Sequence, residues 1–396
     1  MNMYPIVLIS LILATIIPDL FFFHKLSKRT SKTFLFVLHF LPGIFFISSF
    51  LYIRFGLLNA HSFQLTSNLM WLILAFMIIY IPKIVYGFFH FFNFTIKKLL
   101  VKETNLFRHI GLVISSMTLI LIIYGGFYTP TNFQLRKQVI EIEGLPASFE
   151  GYKIIQFSDF HIGNWNQNYD IMTPITKIIN DQHADMIVFT GDMVNNFSDE
   201  AVGWEPYFQK LKSKNGNYAV LGNHDYGDYA SWSSPAEREA NILNTKQSIR
   251  NLGFRLLLNE NVLLKRGKDE MALIGVEDWG KAPLMTYGDL KKAMKGTEKI
   301  NTKILLSHDP SHWDAQVIGK TNIVLTLSGH THGGQFGYRY ENRLFSPASF
   351  IFQEWEGLYQ KGKQYLYVNT GLGFVGLHLR LGIPPEITLI ELRNKN

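Results

Sequence analysis

The chain has 396 residues, 38 Lys+Arg against 31 Asp+Glu, a formal charge of +7, and no cysteine. That length accommodates one large domain plus a membrane region, and the absence of cysteine excludes a disulfide framework and any thiolate metal site. Residues 1–130 carry 10 basic and 2 acidic side chains while residues 131–396 carry 28 and 29, so the basic excess belongs to the N-terminal region and gives no support to nucleic-acid binding.

Four apolar runs fill residues 1–130: Tyr4–Phe23, Phe34–Leu58, Leu69–Phe92 and Ile110–Phe127. Each approaches the ~20 residues that a helix needs to cross the hydrocarbon core. The first lacks the basic start and cleavage site of a signal peptide, so four transmembrane helices are predicted. Lys25, Lys28, Arg29 and Lys32 make the first loop basic, the second holds Arg54, and the third holds Lys97, Lys98, Lys102 and Arg108 against Glu103. Basic loops stay on the cytoplasmic side. This places the rest of the chain on the periplasmic or extracellular face. Pro82 and Lys83 predict a kink or early end in the third run. Asp19 and Lys83 lie near run ends and are expected to snorkel to the interface.

Past Pro130 the pattern changes to short apolar runs alternating with polar, helical stretches. Predicted strands are Val139–Ile142, Lys153–Phe157, Met186–Thr190, Tyr218–Leu221, Met271–Val276, Lys303–Leu306, Ile323–Leu327, Tyr365–Val368 and Glu386–Ile390. Predicted helices are Tyr169–Gln182, Pro235–Leu252 and Tyr287–Lys295. Strands alternating with helices imply an α/β layered domain over residues 131–396.

Most of these strands end in potential metal ligands. Asp159 and His161 follow the second strand, and alternate residues at a strand end point the same way. Asp192 follows a buried run and a glycine, where a carboxylate can bridge two cations. Asn223 and His224 follow the next strand; the amide is a neutral oxygen ligand and the imidazole can face substrate. His308 ends another strand and is preferred to nearby His312. Gly329-His330-Thr-His332 sets two imidazoles on one side of a strand end. One such segment is a common surface pattern; five in this order specify a site. Oxygen and nitrogen donors without sulfur suit two divalent ions of Mn, Fe or Zn.

These motifs resemble the calcineurin-like metallophosphoesterase superfamily over residues 150–390, and most resemble its bacterial membrane-associated branch, which includes a lipid A pathway enzyme. The segments Asn369-Thr-Gly-Leu-Gly-Phe and Arg380-Leu-Gly-Ile-Pro-Pro-Glu386 add to the resemblance. The resemblance implies a sandwich of two mixed β-sheets flanked by helices. It implies one metal on Asp159, His161, Asp192 and His332, another on Asp192, Asn223, His308 and His330, and His224 as the catalytic histidine. Many members have aspartate where this chain has Asn195, which in them orients that histidine. An amide there carries no charge to stabilise imidazolium, which favours good leaving groups.

The expected reaction is in-line attack on phosphorus by metal-activated hydroxide, cleaving a phosphodiester or pyrophosphate. A phosphomonoesterase of the same fold is the alternative. A non-catalytic binding module would have lost ligands that are all present here, and a transporter would need polar groups inside the spans. A membrane anchor favours a lipid-linked phosphoester as substrate. Trp232, Phe345, Phe350, Phe352 and Trp355 are candidates for an interfacial belt, half of them expected in the core. The lipid A pathway enzyme acts on a cytoplasmic substrate, which conflicts with the outside placement, so its substrate is not carried over.

Overall fold

The computed structural model describes residues 4–26, 31–53, 63–100, 104–280, 286–341 and 343–395. Two compact units are formed, one from Met1–Ala60 with Asn68–Gly126, the other from His61–Ser67 with Phe127–Asn396.

The first unit contains four helices: α1 Tyr4–Leu26, α2 Lys32–Tyr52, α3 Phe63–Leu100 and α4 Leu106–Phe127. All four are long and apolar enough to cross a membrane. The basic loop residues Lys28, Arg29, Arg54 and Lys102, and Glu103 with them, lie outside the described residues.

Two expectations for this unit change. α3 runs on through Pro82 as one helix of 38 residues, about 57 Å long and so longer than a hydrocarbon core. The Ser115 hydroxyl of α4 donates to the Pro82 carbonyl at 2.7 Å, an example of a neighbouring helix satisfying backbone groups beside a membrane proline. Asp19 does not snorkel. It is 1% exposed, with Lys83 Nζ 2.7 Å from one oxygen and the Tyr80 hydroxyl 2.8 Å from the other. Pairing offsets part of the cost of an isolated charge among apolar helices, so these helices hold a buried ion pair.

The second unit is a sandwich of two six-stranded mixed sheets. In the first, the order is β1 (Gln134–Ile142), β14 (Glu386–Asn394), β2 (Tyr152–Phe157), β3 (Met186–Thr190), β4 (Asn217–Val220) and β5 (Arg255–Leu256). In the second it is β12 (Gly357–Lys361), β13 (Gln364–Val368), β9 (Leu325–Ser328), β8 (Lys303–Leu306), β7 (Asp269–Gly275) and β6 (Glu260–Arg266). A separate hairpin pairs β10 (Tyr338–Tyr340) with β11 (Arg343–Phe345). Within each sheet the central strands are parallel, with β2, β3 and β4 aligned in one and β9, β8 and β7 in the other.

Parallel strands buried on both faces read as continuous apolar runs. β3, β8 and β9 are buried at every position. Ile154, Val188 and Val220 of one sheet meet Leu273, Leu306 and Leu327 of the other in one core. Each such side chain contributes about 1.5–3 kcal/mol on burial.

Four helices complete the layers: α5 Met172–Asn180, α6 Glu205–Phe208, α7 Pro235–Asn251 and α8 Leu290–Ala293. α5 buries Met172, Ile175 and Ile179, a spacing of three and four residues that lines one face. α7 starts as its sequence directs, with Pro235 in the first turn and the Ser234 hydroxyl accepting from the Glu237 amide at 3.2 Å. α8 starts later than the predicted Tyr287–Lys295, because Asp289 caps it by accepting from the Lys292 amide, and it ends at Ala293. Strands β5, β6, β10, β11 and β12 lie outside the predicted set.

Candidate metal centre

The predicted ligands come together although they span about 175 residues of sequence. They sit just past the C-terminal ends of β2, β3, β4, β8 and β9, where open α/β sheets form their binding crevice. Asp159, His161, Asp192 and His332 each offer one ligand atom, all within 4.8 Å of one another. Asp192, His308 and His330 form a second such group, so Asp192 belongs to both. Asn223 joins the second group, its Oδ1 3.0 Å from His308 Nε2 and 2.9 Å from His330 Nδ1.

The backbone is strained where these side chains converge. Asp159, His161, Asp192, His330 and His332 all have positive φ, between 46° and 74°. Non-glycine residues adopt this region at a cost and keep it where surrounding structure over-determines it, often at functional sites. The turn after β3 has no room for a side chain at its glycine. A Cβ on Gly191, which has φ +95°, would lie 2.6 Å from His308 Nδ1 and 2.7 Å from the Gly222 amide nitrogen.

Hydrogen bonds set which atom of each ligand faces inward. His308 Nδ1 lies 2.8 Å from the Thr190 carbonyl. Donation there turns Nε2 toward Asp192 Oδ2, 3.2 Å away. Burial opposes charge on His308, but Asp192 and Asp159 outweigh it and hold the imidazole well above its usual range, so Nε2 carries a proton that a metal ion would displace. Asp159 is held by the His330 amide at 3.0 and 3.1 Å and by the Ser158 hydroxyl.

The electrostatics call for positive charge. Burial, then His224, pushes His161 down to about 3; burial, then His308, pushes His330 down to about 4. Both are therefore neutral at physiological pH, the form that binds metals. Burial opposes the charge on Asp192, but His308 and His224 outweigh it and hold its carboxyl well below the usual range. His161 Nε2 lies 3.1 Å from His332 Nε2, with the Asn195 side chain beside the same imidazole. Two imidazole lone pairs converging beside two carboxylates fit a divalent cation. Oxygen and nitrogen donors without sulfur suit a hard or borderline one.

His224 and Asn195 are also in the site, in an arrangement that differs from the sequence expectation. His224 Nδ1 lies 2.8 Å from the Asn195 backbone carbonyl. The Asn195 side-chain amide turns instead to Asn164 Oδ1 at 2.8 Å. The His224 ring stacks on Tyr229, and its backbone amide donates to Asp192 Oδ1 at 2.9 Å. His312 is not a member of either ligand group; it lies 2.9 Å from the Ser307 hydroxyl and stacks on Trp279.

Two residues have roles that sequence reading missed. Asp225 accepts four backbone N–H groups, from Asp192, Met193, Val194 and Gly222, at 2.9–3.1 Å. It thereby ties the loop after β3 to the loop after β4. Its place in Gly-Asn-His-Asp was the only available signal. Arg380, fully buried, donates to the carbonyls of Gly373, Ile383 and Thr370 and approaches His332 Nδ1 at 3.5 Å. Of the candidate belt aromatics, Phe345 and Phe350 are exposed, Phe352 packs edge-on against His330, Trp232 donates to the Gly227 carbonyl, and Trp355 is buried.

A two-sheet α/β sandwich whose parallel strand ends gather carboxylates and imidazoles around a shared aspartate is that of a metal-dependent phosphoesterase. The family model described as calcineurin-like phosphoesterase matches residues 152–334. The Bacillus subtilis (strain 168) metallophosphoesterase YkuE is 31% identical over 283 residues, covering 69% of this chain and 90% of that protein. A Bos taurus transmembrane protein with metallophosphoesterase domain is 29% identical over 268 residues, 64% of this chain and 56% of that protein. Bacillus subtilis YkoQ is 28% identical over 262 residues, 63% and 86% of the two chains. The chain belongs to the calcineurin-like phosphoesterase family.

Proposed function

We propose that this protein is a membrane-anchored phosphodiesterase or pyrophosphatase acting on a lipid-linked substrate with two divalent ions. The carrying observation is Asp192, whose carboxylate is common to both groups of ligand atoms. One ion would take Asp159, His161, Asp192 and His332, the other Asp192, Asn223, His308 and His330. When bound, the ions lower the pKa of attacking water and neutralise the phosphoryl oxygens; Mn, Fe and Zn all fit the donors.

The protein groups do the remaining work. Asp192 and the strained strand ends hold the ligands in register before substrate arrives. His224, pinned at Nδ1 by the Asn195 carbonyl, presents Nε2 to protonate the leaving oxygen. A carbonyl supports imidazolium less than a carboxylate does, so acidic leaving groups are favoured, as in diesters and pyrophosphates.

Two features support a lipid-linked substrate. The chain has four helices able to cross a membrane. Tyr338, Tyr340, Phe345, Phe350 and Ile351 are all more than half exposed on the β10–β11 hairpin and the turn after it, beside the site through Phe352. Exposed apolar patches of this kind mark contact with membranes or partners. The division into an anchor at 1–130 and a catalytic domain at 131–396, and the placement of that domain on the periplasmic or extracellular face, rest on the loop charges and composition.

The test is hydrolysis of bis-p-nitrophenyl phosphate against p-nitrophenyl phosphate by the Mn-loaded protein, with Asp192→Ala as control. Diester turnover that vanishes in the control is the expected result. Preference for the monoester would replace this reading with a phosphomonoesterase.

A further inference from the structure

A cleft of about 590 Å³ opens beside the second ligand group, with Asn223 and His330 in its wall. Four carboxylates line it from separate segments: Asp278 beyond β7, Asp309 and Asp314 beyond β8, and Glu354 beyond β11. Asp278, Asp314 and Glu354 belong to neither ligand group.

Two of these are in costly positions. Asp278 is 2% exposed and its Oδ1 has no hydrogen-bond partner among the described residues. An unsatisfied buried carboxylate oxygen costs the desolvation of that group. Glu354 is buried against the Asp314 carboxyl, and burial together with Asp314 raises it to about 7. Two carboxyls in contact require a shared proton or another cation. Asp314 pairs with Lys361, 3.4 Å away and largely exposed. Asp309 is already engaged with the Ser311 amide at 2.8 Å. Phe352 and Ile351 make the apolar part of the wall.

We propose that this cleft binds an ammonium group carried on one alcohol of the phosphodiester substrate, with Asp278, Asp314 and Glu354 as its acceptors. The inference rests on the phosphodiesterase reading and specifies its substrate. An alkylammonium has three N–H donors on one centre. These match an orphaned buried oxygen and a pair of crowded carboxyls, while the metal ligands hold the phosphate end. The acidic wall repels a second phosphate or a carboxylate at the same position. In hydrolysis the oxygen of water bonds to phosphorus, the bond from phosphorus to the leaving oxygen breaks, and that oxygen takes a proton. The products are an alcohol and a phosphomonoester.

Two chromogenic diesters of one leaving group test this: 2-aminoethyl p-nitrophenyl phosphate and 2-hydroxyethyl p-nitrophenyl phosphate. The full chain in detergent, loaded with Mn, should favour the aminoethyl diester in kcat/KM by about tenfold, as expected for charge-assisted hydrogen bonds. In Glu354→Gln and Asp314→Asn that preference should collapse toward unity through KM. Equal kcat/KM on the two diesters, or a preference that survives both substitutions, would overturn the proposal. Failure of the wild-type protein to turn over bis-p-nitrophenyl phosphate as well would overturn the phosphodiesterase reading, and the inference with it.

Discussion

The imidazole of His224 is oriented by the main chain of Asn195, with Nδ1 2.8 Å from the carbonyl oxygen. The Asn195 side chain is committed elsewhere, to Asn164. Replacing the side chain therefore leaves the contact to His224 in place. Asn195→Ala should retain kcat/KM within about tenfold, whereas His224→Ala should lose 10²–10⁴-fold on an alkyl diester, the usual worth of general acid catalysis. Steady-state kinetics on one alkyl diester compares the two. Equal losses would assign His224's orientation to the Asn195 side chain.

Asp192 is shared by both ligand groups, so its loss should empty both. Asp192→Ala should bind less metal than Asp159→Ala, and both less than wild type. Elemental analysis after equilibration with Mn reads this without reference to activity. Chelation of wild-type protein should lower its melting temperature, since ions that bind only the folded state stabilise it by mass action.

Asp225 satisfies four buried amides at once. Asp225→Ala leaves those donors without acceptors. The cost should be about 3 kcal/mol or more, read as a fall in melting temperature, with loss of metal because the Asp192 and Asn223 loops come apart. A melting temperature equal to that of wild type would show that water replaces the carboxylate.

Phe350 is 92% exposed, while Phe352 packs on His330. Phe350→Ser should weaken turnover of a micellar lipid diester severalfold and spare a soluble one. Phe352→Ser should weaken both, because it loosens His330, a candidate metal ligand. Assays with the two substrate forms in parallel separate these effects.

Glu354 has a folded-state value of about 7, above its ordinary 4.5, because of burial and then Asp314. The fold therefore favours its neutral form. Its contribution to stability is complete below about pH 4.5 and is lost as pH rises through 7. Glutamine has no such loss. The melting temperature of Glu354→Gln relative to wild type should be near zero at pH 4.5 and positive at pH 8. A difference that stays flat across this range would place the carboxyl in contact with solvent.

Legibility from sequence followed burial. β3 and β8 were read to their end residues because every position is buried and all but Thr190 and Lys303 are apolar. β6 and β12, at the sheet edges, are mostly exposed or half-buried, so neither carries the continuous apolar run by which the central strands are read. The candidate ligands were readable as a set because each follows a strand that buries itself. The role of Asp225 was not, since its four partners lie on two loops. Asp19 and Lys83 are 64 residues apart, and only the packing of α1 against α3 turns two isolated charges into a pair.

By itself, then, the sequence determined the chemistry of this protein. It set the donor types, the strand ends that carry them and the helices able to cross a membrane, because each depends on local composition and period. Tertiary structure alone decided which atoms meet. It made Asp192 common to both ligand groups, gave His224 a carbonyl as its support, and crowded Asp314 against Glu354 in the cleft. These outcomes depend on the stacking of two sheets, in which residues far apart in the chain are brought within hydrogen-bond distance.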